Sequence, residues 1–289
     1  MAVTTVHRAR AEARSGTASG WLTLVSRLGY AAQGVVYATV GVLALLAAFG
    51  VGGGTTDSRG AIDALVSQPF GKFIVGVVAL GLLCYAAYRF VGAATDADGD
   101  GDDGMGIAKR LGKAGVGIAY LSLAAYAAGF VFAGFGAFGG GGGDSSAPDL
   151  TRKVMSFPFG QWLVGIVGAV VIAVGFGQFK QAYDRSFLDM LDVHGGRRDK
   201  VERIGQAGFT ARGVVFILIG IFLIVAAWRA DPNEARGLSG ALDTLRDQPW
   251  GRWLLGLTAA GLIAFAVYAF AVAAYRRIGD ARVNTPRRA

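Results

Sequence analysis

The sequence predicts an all-α membrane protein, a polytopic helix bundle in which six transmembrane helices form three like-oriented two-helix repeats with approximate three-fold pseudosymmetry. Three observations support this prediction. The chain is rich in hydrophobic residues (53%) and poor in charged ones (17%), whereas soluble domains contain about 25% charged residues. The apolar residues gather in six long runs, and a short phrase returns once in every second run.

Each run is close to or above the roughly 20 residues that a helix needs to cross about 30 Å of hydrocarbon. Lipid offers no water to satisfy backbone polar groups, so helices are the form that such runs take. The runs cover residues 28–50, 70–91, 111–134, 159–179, 207–228 and 250–275.

The repeated phrase is a proline, an aromatic residue and a glycine at the start of each second run. We predict that it forms an interface anchor, with proline at the first helical position, the ring at headgroup level and glycine allowing close backbone approach. Its copies are Pro69, Phe70 and Gly71; Pro158, Phe159 and Gly160; and Pro249, Trp250 and Gly251.

The first run of each pair carries a second pattern, two glycines followed by an aromatic residue. Its copies are Gly29, Gly34 and Tyr37; Gly112, Gly117 and Tyr120; and Gly208, Gly213 and Phe216. In the outer units, Ile62 and Asp63 match Leu242 and Asp243 ahead of the phrase, which predicts a short amphipathic helix at the outer interface. The middle unit lacks this block.

These repeats divide the chain into seven segments. We expect a basic cytoplasmic tail, mobile at its start, three repeats, an acidic Asp/Gly linker, a cytoplasmic connection and a second basic tail. Their bounds are 1–25 (tail), 26–94 (repeat 1), 95–108 (linker), 109–183 (repeat 2), 184–201 (connection), 202–278 (repeat 3) and 279–289 (tail).

Small residues at four-residue spacing are typical of membrane helices that pack closely. Gly165, Ala169 and Ala173 form one such stripe, and Gly256 and Ala260 begin another. We expect both stripes to pack inside the bundle, with homodimerisation as the alternative.

The tandem units resemble the bacterial membrane family called domain of unknown function 1206, on the strength of Arg27 to Tyr30, Gly34 to Tyr37 and the phrase that begins at Gln68. The likeness covers nearly all of residues 26–275, with a divergent middle copy. It implies an integral membrane protein of bacteria, and it supplies no reaction, ligand or catalytic residue.

Basic residues are distributed unevenly between the two sides of the predicted bundle. Of the 28 Lys and Arg residues, 20 fall on the side of the termini. The positive-inside rule therefore predicts a multi-pass protein of the bacterial cytoplasmic membrane with both termini cytoplasmic. The formal net charge of +8 indicates membrane lipids as partners rather than nucleic acid.

Four residues are candidates for pore or ligand contact: Gln33 and Arg212, which align between the outer repeats, and the tyrosines Tyr37 and Tyr120. Polar residues within membrane helices mark functional sites, although hydrogen bonding between helices is the alternative reading. No Asp, Glu or His occupies the middle of any run. This weighs against an ion-driven transporter.

No cofactor, metal site or catalytic residue is predicted. Cys84 is the single cysteine, and the two histidines lie outside the runs. Asp96, Asp98 and Asp100 open a calcium-loop pattern, but Ile107 stands where the last acidic ligand belongs. A solvated linker is the favoured interpretation of Asp96–Asp103, and cation binding there is left open.

The sequence therefore favours a non-enzymatic membrane protein that binds lipid or another membrane component, or that supports an assembly with a membrane protein partner. The alternative is a passive channel or facilitator for a small solute or ion along the pseudo-three-fold axis. The oligomeric state is not fixed by the sequence.

The predicted topology can be tested with reporters fused to each end of the chain. An even number of crossings places both ends on the same side, and the basic asymmetry makes that side the cytoplasm. We expect a fluorescent reporter to be active at both ends and a periplasmic phosphatase reporter at neither. Reporters that assign the ends to opposite sides would contradict six crossings.

Overall fold

The structure, a computed structural model, describes residues 2–95, 104–132, 146–190 and 196–275. Throughout these ranges the regular structure is helical. The α-helices are α1 (Ala2–Phe49), α2 (Ser58–Val66), α3 (Gly71–Thr95), α4 (Gly104–Phe132), α5 (Ser146–Met155), α6 (Gly160–Asp184), α7 (Gly196–Arg229), α8 (Leu238–Arg246) and α9 (Gly251–Tyr275). Two short 3-10 helices, Ser186–Met190 and Pro232–Glu234, complete the set.

Six helices are long and apolar enough to cross a membrane, which confirms the predicted fold class. They are α1, α3, α4, α6, α7 and α9, over the spans Thr23–Phe49, Gly71–Ala94, Lys109–Phe132, Gly160–Asp184, Arg198–Arg229 and Gly251–Tyr275. The short helices α2, α5 and α8 lie where the two long helices of a unit are joined. We call this end of the bundle the anchor side and the opposite end the tail side.

Two local features differ from expectation. Helix α1 begins at Ala2, so the segment expected to be a mobile tail continues the first helix; it contains no proline that would stop one. The middle unit also has an interface helix, α5, although it lacks the block that predicted α2 and α8. Its amphipathic character resides in different residues, among which Thr151 is buried.

The long helices pack in a cyclic order with one interface missing. Helix α1 packs against α3 and α9, α4 packs against α3, and α7 packs against α6 and α9. The order is therefore α4, α3, α1, α9, α7 and α6. Among the described residues, α4 and α6, which belong to the same unit, do not form a comparable packed pair.

The three interfaces between successive units share one contact, a phenylalanine ring of one unit set against a helix glycine of the next. A Cβ at the glycine would lie 3.0–3.1 Å from the ring, closer than an ordinary van der Waals contact, so a larger residue would require the phenylalanine to shift. The pairs are Gly34 with Phe270, Gly117 with Phe90 and Gly213 with Phe179.

Polar contacts join the same units at the tail side. In each case a long side chain on the first long helix of one unit donates a hydrogen bond to a backbone carbonyl in the last turn of the preceding unit, where helix carbonyls lack partners. The three donors and acceptors are Arg27 to Ala274, Arg110 to Ala93 (2.8 Å) and Gln206 to Ala182 (3.2 Å).

At the anchor side the interface helices make the equivalent link. The residue six positions before each phrase proline pairs with a polar side chain of the next unit. Tyr126 donates to Asp63 (2.7 Å), Arg152 donates to Asn233 (3.1 Å) and Thr55 donates to Asp243 (2.5 Å). Each junction between units is thus held at both ends and in the middle.

Within the outer units the two long helices touch backbone to backbone. A Cβ at Gly29 would lie 2.7 Å from Tyr85 Cβ, and one at Gly208 would lie 2.6 Å from the backbone of Phe265. One turn away, Gly81 packs on Ala32 in the first unit. The third unit repeats this contact with Gly261 and Ala211.

The middle unit does not make this contact. Gly112 and Gly115 of α4, the counterparts of Gly29 and Ala32, have nothing within 4 Å of a Cβ placed on them. On α6, Val170 stands at the position of Gly81 and is 55% exposed, and Val174 at the position of Tyr85 is 47% exposed. Glycine allows the two helices to approach closely in the outer units, whereas a β-branched valine is too bulky for the same approach.

We call this gap the open interface. Four residues of α4, namely Gly112, Gly115, Val116 and Ala119, are exposed, whereas the residues of α1 and α7 that correspond to them are mostly buried. The α6 side presents three exposed valines. The open interface consists of Gly112, Gly115, Val116 and Ala119 on α4 with Val167, Val170 and Val174 on α6. The approximate three-fold axis stays a prediction; the contacts give its cyclic order with this one gap.

The proline-aromatic-glycine phrase forms a turn rather than the first turn of a helix. The helices begin at Gly71, Gly160 and Gly251, two residues after the proline, so the predicted first-helical position for proline is wrong. In the first copy, Gly71 N–H donates to Gln68 O at 2.8 Å, and Phe70 has φ 61°. Proline suits the second position of such a turn.

Glycine is required in the phrase by the approach of the preceding helix end. A Cβ at Gly71 would lie 2.1 Å from Val66 O, and one at Gly251 would lie 1.7 Å from Arg246 O. Gly160 is confined in the same way by Val154 O. The phrase aromatics, by contrast, are strongly exposed, as an anchor at headgroup level requires.

The predicted small-residue stripes are wrong in register. Ala169 and Ala173 are exposed. The glycines of α6 that pack are Gly168, against the backbone of Gly220, and Gly175, against Ile217. The four-residue spacing identified a helix that packs through glycines, but it did not identify the face of the helix that packs.

Matched alanine substitutions test the difference between closed and open interfaces. A methyl group at Gly29 or Gly208 forces the backbones apart, and overpacking costs about 1–3 kcal/mol. We expect Gly29→Ala and Gly208→Ala to lower the melting temperature in detergent, while Gly112→Ala does not. Equal losses in all three variants would contradict an open interface in the middle unit.

Candidate functional site

The four predicted site residues meet in one cluster in the tail-side half of the bundle. Gln33 Nε2 donates to the hydroxyl of Tyr120 at 2.6 Å, which links α1 to α4. The guanidinium of Arg212 on α7 lies over the ring of Tyr37, 5.2 Å from its centroid. We call these residues, with the aromatic side chains that enclose them, the inner cluster.

Arg212 lies in a cage of rings. Its guanidinium is 4.2 Å from the centroid of Phe265 and 5.2 Å from that of Phe216, in addition to Tyr37. Cation–π contacts of this kind strengthen where water is excluded. Arg212 has no hydrogen bond or ion pair with any of the described residues, and its Nε is buried without a partner.

A second arginine occupies the neighbouring part of the cluster. Arg89 on α3 donates a hydrogen bond of 2.5 Å to Tyr85 and also lies over that ring. Tyr85 packs edge-on against Tyr120, with centroids 4.6 Å apart. Arg89 lies near the tail-side end of the span Gly71–Ala94, and its partner Tyr85 lies one turn before it on the same helix.

Hydrogen-bonding capacity in the cluster is incompletely used. Gln33 is 2% exposed, and its Oε1 has no partner in the structure. Buried polar groups are normally paired, and an unpaired one costs about 1–3 kcal/mol. The cluster therefore combines a cation and an acceptor that the described part of the chain leaves unsatisfied.

The open interface borders this cluster on α4. By the repeat alignment, Gln33 on α1, Val116 on α4 and Arg212 on α7 are counterparts. Val116 is exposed, whereas Tyr37, Tyr120 and Arg212 are half-buried. Val116 and Tyr120 lie about one turn apart on the same helix, so the exposed face of α4 adjoins a residue of the inner cluster.

On the anchor side of the cluster the bundle is filled. Val36, Val40 and Ala44 of α1 are buried. They belong to one contiguous apolar core with residues of α3, α4, α7 and α9, such as Leu82 and Val215. The inner cluster is therefore bounded on its anchor side by close-packed apolar side chains.

The anchor residues lie apart from this cluster. Pro69, Pro158 and Pro249 and their neighbours occupy the anchor-side turns. The calcium-like residues Asp96, Asp98 and Asp100, the Gly/Ser stretch from 139 and the tail from 279 lie outside the described residues.

The structure also points to site features that the sequence analysis missed. Val174 stands where the outer units have the aromatic residues Tyr85 and Phe265, and this difference indicates that the middle unit packs differently. So does Val170 in place of Gly81 and Gly261. A comparison of the second runs in register would have revealed both.

Comparison with known proteins fits the repeat structure described above. The family model "Domain of Unknown Function (DUF1206)" matches three times, at residues 28–96, 111–185 and 207–276. The protein is a member of this family. Each match of DUF1206 spans one unit, from within its first long helix to the end of its second.

A curated relative is similar in sequence to most of the chain. The chain is 35% identical over 246 residues to "Uncharacterized protein YxxB" of Bacillus subtilis (strain 168), which covers 84% of this chain and 87% of the relative. No solved structure matches. Membership in DUF1206 therefore supports the three-unit organisation and leaves the function to be argued from the site.

Two tyrosine variants test the packing of the inner cluster. Tyr120→Phe removes the partner of the Gln33 amide and leaves it buried, at a cost of about 1–3 kcal/mol. Tyr37→Phe removes a hydroxyl that has no hydrogen-bond partner among the described residues. We expect thermal denaturation in detergent to show a lower melting temperature for Tyr120→Phe than for Tyr37→Phe; the reverse order would contradict this pairing.

Proposed function

We propose that the protein binds a membrane component that enters the inner cluster sideways from the lipid, between α4 and α6. The observation that carries this proposal is the open interface. Two of the three units close their helix pair with glycine contacts, whereas Gly112 and Gly115 face open space. A ligand of the bilayer can occupy that gap without displacing another helix of the chain.

The lining of the gap supports a ligand with an aliphatic part. Its described residues are glycines, an alanine and valines, among them Val116, Val167 and Val170. Such a surface offers van der Waals contact to a hydrocarbon chain and no hydrogen bond to a polar solute. The binding site is a slot open to the lipid phase, and its inner end is polar.

A passive channel is the weaker alternative. Conduction requires a polar or hydrated path from one side to the other, and the buried core around Val36, Val40 and Ala44 closes the anchor side of the cluster. We propose that the tail side faces the cytoplasm, as the basic asymmetry predicts, so that the ligand enters at the level of the inner half of the bilayer.

Native mass spectrometry of the detergent-purified protein tests lateral binding. A ring at the open interface should obstruct the slot, so we expect Gly112→Phe to retain at least about tenfold less co-purified lipid than the wild type. Leu121→Phe is the matched control, because nine residues further along α4 it lies on the opposite helix face, at an exposed position.

The control variant should retain lipid as the wild type does. A Gly112→Phe protein that elutes as a single folded species and keeps its full lipid complement would contradict the proposal. Equal losses in both variants would assign retention to the general lipid-facing surface.

A further inference from the structure

We propose that the ligand is an anionic phospholipid, with its phosphate on Arg212 and an acyl chain in the open interface. This inference deepens the proposed function and rests on lateral access to the inner cluster. It adds the chemical class of the ligand and the residue that selects it.

Charge is the first argument. Arg212 and Arg89 bring two cations into the cluster, and no described acidic side chain forms an ion pair with either. An ionised group within the hydrocarbon region is costly unless it is paired. The aromatic cage of Arg212 reduces that cost but contributes no negative charge.

Hydrogen-bonding geometry is the second argument. A guanidinium presents several N–H groups in a plane, a pattern that matches phosphate oxygens. Arg212 uses none of these donors on the described residues, whereas Arg89 already donates to Tyr85. Arg212 is therefore the arginine with free capacity for an anion.

The unpaired Oε1 of Gln33 is an independent observation at the same cluster. As an acceptor it calls for a donor, which a phosphate diester lacks and a headgroup hydroxyl supplies. Phosphatidylglycerol combines a phosphate with hydroxyl groups, and it is the probe that we select on this ground.

Depth is the third argument. Arg212 lies five residues inside the apolar run that begins at residue 207, which corresponds to about 8 Å along a helix. A lipid that sinks slightly into the slot brings its phosphate to this level while its chain stays among valines. A zwitterionic lipid offers the same phosphate but brings an ammonium group toward Arg89.

The test compares phosphatidylglycerol with phosphatidylcholine of the same acyl chains, each added to delipidated full-length protein and followed by native mass spectrometry. We expect the wild type to bind phosphatidylglycerol at least about tenfold more tightly, because both lipids carry the phosphate but only phosphatidylcholine brings a cation into a cluster that already holds two arginines. Arg212→Gln should lose this preference, and Arg212→Lys should keep part of it. Equal wild-type binding of both lipids would overturn the inference without any variant.

Further arms separate this inference from the proposed function. Wild-type binding that Gly112→Phe abolishes equally for both lipids, with no effect of Arg212→Gln, would preserve lateral binding and remove the anionic selectivity. Binding of neither lipid, or of both despite Gly112→Phe, would remove the proposed function as well. Displacement of bound lipid by free glycerol phosphate would show that the cluster binds a soluble anion, and it would contradict the inference that the ligand is a phospholipid.

Discussion

The close approach of helix backbones through glycine is the constraint on which the rest of this bundle depends. Between lipid-immersed helices there is no hydrophobic driving force of the kind that operates in water, so packing must come from contact itself. The ring of Phe270 lies 3.0 Å from the position that a Cβ of Gly34 would take, and the same close arrangement returns at Gly117 and Gly213. Each junction between units is built around this contact.

Polar links at both ends of a junction have a different role. The contact between glycine and phenylalanine fixes distance, whereas the bonds of Arg110 and Asp63 fix how far one unit slides along the next. The junctions between units are therefore held by more kinds of contact than the helix pairs within a unit. The bundle can for this reason keep its arrangement although one helix pair is not packed together.

Much of this fold could be predicted from the sequence, because long apolar runs and a repeated phrase are strong signals. The six crossings and the two interface helices α2 and α8 followed from run length and from the block at Ile62. The turn at Pro69 could not be predicted from residue preference alone, since proline suits both a helix start and the turn before it. The packed glycine face of α6 likewise depends on which neighbour α7 presents, and α5 lacked a recognisable block.

The candidate site, like the fold, could be predicted from the sequence only in part. Gln33, Arg212, Tyr37 and Tyr120 drew attention because polar and hydroxylated residues are rare in apolar runs, and the structure places them together. Access to the cluster was not predicted, because it depends on a contact that is missing. The information lay in valine at position 170, where both outer units have glycine.

An open interface in only one of three similar units argues for a specific role of the gap. Had the middle unit simply drifted in sequence, the neighbouring junctions would be expected to weaken with it. Instead Gly117 still holds Phe90, Phe179 still lies on Gly213, and Arg110 still caps α3. Among the long helices, the substitutions of the middle unit that change packing lie on the face between α4 and α6. The two neighbouring junctions hold α4 and α6 in place although these helices do not form a packed pair within the described part of the chain, and the proposed lipid site uses the exposed surface that this leaves beside Val116.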